Sequence, residues 1–205
     1  MHQPSRPLRT LPARFVAAAV AVCPITVLAH PAAEHVIGFM QGIAHPFGGI
    51  DHLLAMVAVG LLGARLGGRA RWLIPASFMT LMAVGTCLGM AGVSLPLVET
   101  GIAASIVVFG LLLASGRDMT VPSTMIVVGF FALFHGHAHG SEAAPDVAGI
   151  GYEFGLLLAT GVLHASGVLA AMLLMRWNRA AATPVLRWSG SLVALGGLGV
   201  LAGWI

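Results

Sequence analysis

Long apolar runs recur along this chain, and short stretches containing the polar residues separate them. After residue 30, each run approaches or exceeds the roughly 20 helical residues needed to cross a hydrocarbon core of about 30 Å. The runs predict helices near residues 36–65, 72–92, 97–115, 121–139, 152–176 and 186–205. We therefore predict an all-α integral membrane protein, a bundle of six transmembrane helices.

The first 29 residues have the pattern of a cleavable signal peptide. Three arginines precede a short apolar stretch, residues 15–28, and the small residue Ala29 follows it. The alternative is an uncleaved extra helix, but the stretch is short for a full span and contains Pro24. We predict a signal peptide over residues 1–29 and a six-helix transmembrane domain over residues 30–205.

Composition also favours a membrane protein. Hydrophobic residues make up 58% of the chain and charged residues only 8%, whereas soluble domains devote about 25% to charged residues. The net charge of +3 would suit a nucleic-acid-binding protein, but it comes from ten scattered arginines without a single lysine. We therefore expect the lipid bilayer as a partner, and no nucleic acid.

After residue 29, arginine is confined to alternate links between the predicted helices. The links after helices one, three and five carry Arg65, Arg69, Arg71, Arg117, Arg176, Arg179 and Arg187. The link from helix four to helix five instead carries Glu142, Asp146 and Glu153. The positive-inside rule then predicts a multi-pass protein of the bacterial inner (cytoplasmic) membrane with both mature termini in the periplasm. Its two three-helix halves would have inverted topology, as in transporters whose site lies between inverted repeats.

The first predicted helix contains ionisable residues at membrane depth. His45, Asp51 and His52 are separated by Pro46 and by two consecutive glycines. A charged residue in mid-membrane costs about 3 kcal/mol or more unless it is paired or solvated, so such residues are functional candidates. Positions seven apart share a helical face, and the proline and glycines predict a kink or local unwinding that draws these side chains together.

The fourth and fifth predicted helices add more histidines. His135 and His139 are spaced i, i+4, which places two imidazoles on one helical face at a distance that one metal ion can bridge. His137 faces elsewhere and is a candidate entry ligand, and Glu142 follows it near the helix end. His164, in the fifth helix, is predicted near mid-membrane.

In the predicted topology, the histidines after residue 29 all lie in the outer half of the membrane or near its midplane. Imidazole suits nickel, copper, zinc and iron, so the pattern predicts a divalent-metal site. The candidate metal ligands are His45, Asp51, His52, His135, His139, His164, His137 and Glu142. His30, the predicted first residue of the mature chain, would offer both its amine and its imidazole to one ion.

Structural roles compete with these assignments. A lone intramembrane histidine is commonly an interhelical hydrogen-bond partner, and solvation alone would explain His137 and Glu142 near the water boundary. We interpret Glu99 as a solvated helix cap and the ten methionines as packing residues. Six histidines and an aspartate on one side of the membrane nevertheless favour a metal site.

Two motifs together resemble the HupE/UreJ family of nickel permeases. His45 to His52 matches the family's His-Pro-x-x-Gly-x-Asp-His motif, and Phe134 to Glu142 matches its Phe-His-Gly-x-Ala motif and the Glu that follows. His164 and Gly167 also look similar to the family. The resemblance implies uptake of Ni²⁺, or of Co²⁺ in some members, often alongside the maturation of hydrogenase or urease.

The chain lacks the Gly-x-x-x-x-Gly-Lys-Ser/Thr loop of ATPases, so transport is expected to be secondary, channel-like or powered by a separate protein. We expect no enzymatic activity and no organic cofactor, with Ni²⁺ as the transported ion. Two alternatives remain at this stage. One is an intramembrane metalloenzyme, and the other is a haem-binding electron-transfer subunit, in which paired histidines would be axial ligands.

Overall fold

A computed structural model of the chain describes residues 32–117, 119–143 and 147–204, and every regular element within them is a helix. The helices are α1 Ala32–Gly48, α2 Ile50–Leu66, α3 Ala70–Met90, α4 Val98–Ser115, α5 Val121–Glu142, α6 Val147–Trp177 and α7 Arg179–Leu201. Five of them, α3 to α7, are long and apolar enough to cross a membrane, and α1 with α2 makes a sixth span if the bent pair counts as one. The predicted signal peptide and His30 lie outside the described residues.

The predicted first helix, residues 36–65, is broken. The axes of α1 and α2 differ by 84°, and Gly49 between them has an extended backbone with φ −115° and ψ 126°. Pro46 supplies no backbone donor and the glycines weaken the helix, so the chain turns here at little cost. The predicted kink is confirmed, whereas a continuous helix over this range is wrong.

Two predicted links are shorter than expected. The link between α6 and α7 is Asn178 alone, because its side chain caps α7 by accepting hydrogen bonds from Ala180 N and Ala181 N at 3.0 and 3.1 Å. Placing Arg179 and Arg187 in a link was therefore wrong, since both lie on α7. The same correction applies to Glu142 and Glu153, which lie on α5 and α6; Asp146 is outside the described residues.

Glycines bring α3 and α5 into close contact. Gly85 and Gly89 on α3 face α5, and Gly136 and Gly140 on α5 face α3, each pair four residues apart. A Cβ atom at Gly136 would overlap the carbonyl oxygen of Met82. Such pairs of small residues let helix backbones approach closely within a membrane, and here they press the histidine-bearing end of α5 against α3.

Helix α6 packs against both parts of the broken span. Gly42 on α1 and Gly155 on α6 meet each other's helix backbones, and Gly60 on α2 and Gly167 on α6 do the same further along. On the other side of the bundle, α4 packs on α7 through glycines of both helices. We call the end of the bundle with the histidine cluster the outer end and the arginine-bearing end the inner end, following the predicted topology.

Candidate metal centre

Three histidines from three helices meet at the outer end. His45 lies near the end of α1, His52 in the first turn of α2 and His139 near the end of α5, and one ring nitrogen from each lies within 4.8 Å of the others. The Nε2 atoms of His52 and His139 are 3.2 Å apart. Metal–nitrogen bonds of about 2.0–2.1 Å place two ligand nitrogens of one ion roughly 3 Å apart. The His52–His139 pair therefore has the spacing of two ligands of one ion, and His45 lies close enough to be a third after a small movement of its side chain.

The break at Gly49 brings His45 and His52 together. Their ring centroids are 5.6 Å apart, and the His45 ring is 4.8 Å from that of His139. In a continuous helix, residues seven apart are separated by about 10 Å along the axis, because each residue rises 1.5 Å. The bend thus replaces two turns of separation with side-chain contact.

Asp51 orients the imidazole of His52. Its Oδ1 accepts the backbone N–H of His52 at 2.8 Å and lies 2.9 Å from the ring Nδ1 of the same residue. The carboxylate accepts a hydrogen bond from the Nδ1–H group, and this tautomer leaves the Nε2 lone pair directed toward His139. Asp51 therefore acts on the site at least through His52, as carboxylates beside metal-binding histidines commonly do.

His135 continues the row of imidazoles below the cluster. It is fully buried, and its ring centroid is 5.4 Å from that of His52. Ser105 Oγ donates to Ile102 O at 2.6 Å, so it accepts from His135 Nε2, which lies 2.9 Å away. The remaining nitrogen, Nδ1, then carries a lone pair and has no hydrogen-bond partner among the described residues. A cation would satisfy it.

His164 lies apart from the three-histidine cluster. Its Nδ1 donates to Met56 O at 2.8 Å, and its Nε2 has no partner within the described part of the chain. The ring of Phe78 contacts both His164, with centroids 5.1 Å apart, and His135, at 5.4 Å. Phe78 therefore contacts both deeper histidines, and His164 is not one of the three histidines whose ring nitrogens lie within 4.8 Å of one another.

The two boundary candidates have different surroundings. His137 faces away from the cluster, as its helical position predicts, and its Nε2 donates to Val93 O at 2.6 Å in the link between α3 and α4. Glu142 is exposed and lines the cavity that opens above the cluster. His137 therefore has a structural hydrogen bond, and Glu142 lies where a cation would enter the cavity.

This outer cavity has a volume of about 860 Å³ and is lined by carboxylates as well as histidines. Asp51, Glu99 and Glu142 all face it. Several negatively charged carboxylates around a cleft raise the local concentration of cations. The sequence predicts Glu99 only as a solvated helix cap. Glu99 is far from the histidine motifs along the chain, so its presence in the same cavity could not be predicted from the sequence.

Three other residues around the site were not anticipated. Tyr152 lines the outer cavity and its ring is 5.7 Å from that of His45. Ser105 fixes His135, and Phe78 contacts both His135 and His164. An isolated serine, tyrosine or phenylalanine in an apolar helix has no sequence signal of function, so only the packing of the helices could identify them.

Comparison with known proteins gives a consistent result. The sequence profile of a family described as "HupE / UreJ protein" matches residues 17–200. The protein HupE of Rhizobium leguminosarum bv. viciae is 45% identical over 169 residues, which cover 82% of this chain and 87% of that protein. No solved structure matches the chain.

Proposed function

Because this chain belongs to the HupE/UreJ protein family, we propose that it is a permease that imports Ni²⁺, with Co²⁺ as a second possible cargo, through the histidine site of its outer half. The observation that carries the proposal is the meeting of His45, His52 and His139, whose ring nitrogens lie within 4.8 Å of one another. Neutral imidazoles suit borderline divalent cations such as nickel.

The proposed route follows the polar side chains inward. The cation is attracted by Glu99 and Glu142 at the outer cavity and is then bound by the three-histidine cluster. His135 follows below, and His164 comes next, with the ring of Phe78 in contact with both. Both deeper histidines have a buried ring nitrogen without a hydrogen-bond partner among the described residues, which supports their use as later contacts of the same ion.

The membrane potential is a sufficient energy source for this proposal. Moving one elementary charge inward across 100 mV releases about 2.3 kcal/mol, so a divalent ion gains about 4.6 kcal/mol. That free energy corresponds to accumulation on the order of a thousandfold. No nucleotide-hydrolysing partner is needed for uptake on this scale.

We also propose that both mature termini lie in the periplasm of a bacterial inner-membrane protein, after removal of residues 1–29. The first three spans, α1–α2 to α4, and the last three, α5 to α7, would then be inverted halves. The helix pairing supports this arrangement. In two such halves, the broken span corresponds to α5, α3 to α6, and α4 to α7. The contact of α3 with α5 then corresponds to the contact of α6 with the broken span, and the contact of α4 with α7 corresponds to itself.

The test of the proposed function is accumulation of radiolabelled nickel in cells that lack their own uptake system. Cells expressing the chain should accumulate nickel above the empty-vector level, and His52→Ala should return accumulation to that level because one ligand nitrogen is lost. His137→Ala is the matched control, since this histidine bonds Val93 O outside the cluster and its replacement should leave uptake near wild type. Each variant is first quantified in the membrane fraction. Wild-type uptake by His52→Ala would reject the site, and absence of uptake by the wild type would reject nickel import.

A further inference from the structure

A second large cavity lies at the inner end of the bundle, far from the histidines. Its volume is about 1020 Å³, and α2, α3, α6 and α7 contribute to its walls. Five arginines line it: Arg65, Arg71, Arg176, Arg179 and Arg187. Neither the family resemblance nor the proposed nickel route assigns any role to this cavity.

No carboxylate is among the described residues that line the cavity. The acidic residues within the described part of the chain lie toward the outer end instead. They are on α1, near the starts of α2, α4 and α6, and at the end of α5. Asp118, in the link after α4, is outside the described residues and can cancel one charge at most. The cavity therefore holds a net positive charge of several units, which requires an anionic partner or solvent.

Neutral backbone groups hold three of these side chains in place. Arg65 Nη1 donates to Leu112 O and Leu113 O, both at 3.0 Å, at the end of α4. Arg187 Nε donates to Ala114 O at 3.0 Å on the same helix end, and Arg71 Nε donates to Gly68 O at 3.0 Å. Carbonyl oxygens cancel no full charge, so the bonds of Arg71 and Arg187 fix these two guanidinium groups while leaving their charges available. Fixed guanidinium groups are well suited to phosphate.

Apolar side chains continue the same cavity toward the surrounding membrane. Met172, Met175 and Leu186 line it together with the arginines. Trp177 also lines it and is 93% exposed, and Trp188 on α7 is 71% exposed. Tryptophan is enriched where a membrane protein meets the head-group region. A free phosphate ion would use only the arginines, whereas a phospholipid would use both the charged and the apolar walls.

We propose that this inner cavity binds an anionic phospholipid of the inner leaflet, with its phosphodiester group on the arginines and its acyl chains along the apolar wall of α6 and α7. Basic pockets between transmembrane helices on the cytoplasmic side are suited to such head groups. This role rests on the proposed function: a divalent cation leaving the bundle toward the cytoplasm would meet the positive charge of the arginines, and the bound phosphodiester group offsets that charge.

Native mass spectrometry of the purified full chain in neutral detergent tests this proposal without nickel. Phosphatidylglycerol should bind about tenfold more tightly than phosphatidylcholine, because only the former carries a net negative charge. Millimolar inorganic phosphate in the buffer should not displace it. Equal binding of the two lipids, or displacement by phosphate alone, would overturn the lipid assignment; the second result would indicate a site for a soluble anion.

Two double variants separate the cavity from general charge attraction. Arg176→Gln with Arg179→Gln removes two cavity arginines and should weaken phosphatidylglycerol binding about tenfold. Arg69→Gln with Arg117→Gln removes the same charge from exposed arginines at the same end that do not line the cavity, and should change binding less than about twofold. Equal losses in both would overturn the proposal. The comparison of the two lipids on the wild type stands even if a variant is not recovered.

Discussion

Imidazole tautomers decide which nitrogens of this protein can accept a metal ion. His52 is fixed by a carboxylate, His135 by a serine hydroxyl and His164 by a backbone carbonyl. In each case one ring nitrogen is used as a donor, and the other keeps its lone pair. The same residue type is therefore prepared for cation contact by three different neighbours, two of which lie on other helices.

The carboxylate beside His52 should contribute to the affinity for nickel. Asp51→Ala should weaken nickel binding by about 10–100-fold, because His52 loses the group that sets its tautomer and orientation. Asp51→Asn should lose less, since an amide oxygen still accepts from Nδ1. Isothermal titration of nickel into the purified protein measures both.

Glu142→Gln is the charge-matched control for these variants. It removes one carboxylate from the same cavity, and Glu142 is exposed at the cavity surface. Its binding should remain closer to wild type than that of Asp51→Ala. Equal losses in the two would mean that Asp51 contributes only its charge to the cavity, and unchanged binding in Asp51→Ala would exclude the orienting role.

The break in the first span and the contacts between helices bring the site residues together. The break between α1 and α2 supplies His45 and His52 from two differently directed helices. His139 reaches them because α5 is held on α3 by glycines whose replacement would bring a Cβ atom onto backbone. The ligand geometry consequently depends on residues that bear no metal-binding group.

Gly136→Ala should test this dependence. The new Cβ overlaps Met82 O, a backbone atom that cannot turn aside, so α5 must shift from α3 and carry His135 and His139 with it. Overpacking of this kind costs about 1–3 kcal/mol. We expect a lower temperature of thermal unfolding in detergent and weaker nickel binding.

Gly129→Ala is the matched control on the same helix. Its Cβ would meet only the side chain of Leu81, at 3.2 Å, and that side chain is flexible. Alanine also favours the helix by about 1 kcal/mol over glycine. Unfolding and nickel binding should therefore be close to wild type, and a similar loss in both variants would contradict the packing argument.

At the scale of the whole molecule, opposite ends carry opposite chemistry. Carboxylates and the three-histidine cluster surround the outer cavity, and five arginines surround the inner one. The positive-inside rule assigns the arginine-bearing end to the cytoplasm. The charge asymmetry thus predicts an orientation in which the proposed cation site faces the outside of the cell.

Reporter fusions test this orientation. Alkaline phosphatase, which is active only after export, should be active when fused after the full chain, because the end of α7 is predicted outside. The same enzyme fused within the link between α2 and α3, after Gly68, should be inactive. The opposite pattern of activity would reverse the topology and place the histidines on the cytoplasmic side.

The amino-acid sequence was sufficient to identify the family, the helical membrane architecture and the approximate limits of most helices, and to propose the residue types of the site. Hydrophobic runs and charge distribution are local properties, so they can be read along the chain without knowing which helices are neighbours. The kink near Pro46 was also predictable, because a missing backbone donor and two glycines act within one turn. The short link at Asn178 was missed, since arginines in the first turns of α7 resemble a polar loop in sequence.

Tertiary structure alone decided which histidines meet. His52 and His139 are 87 positions apart in the chain, yet their Nε2 atoms are 3.2 Å apart. His164 is also a histidine within an apolar helix, but it contacts the ring of Phe78 and is not part of the three-histidine cluster. The face that each helix presents to its neighbours is set by backbone contacts at glycines and by the 84° bend at Gly49. Those contacts join residues remote in sequence, and hydropathy and motif spacing carry no information about them.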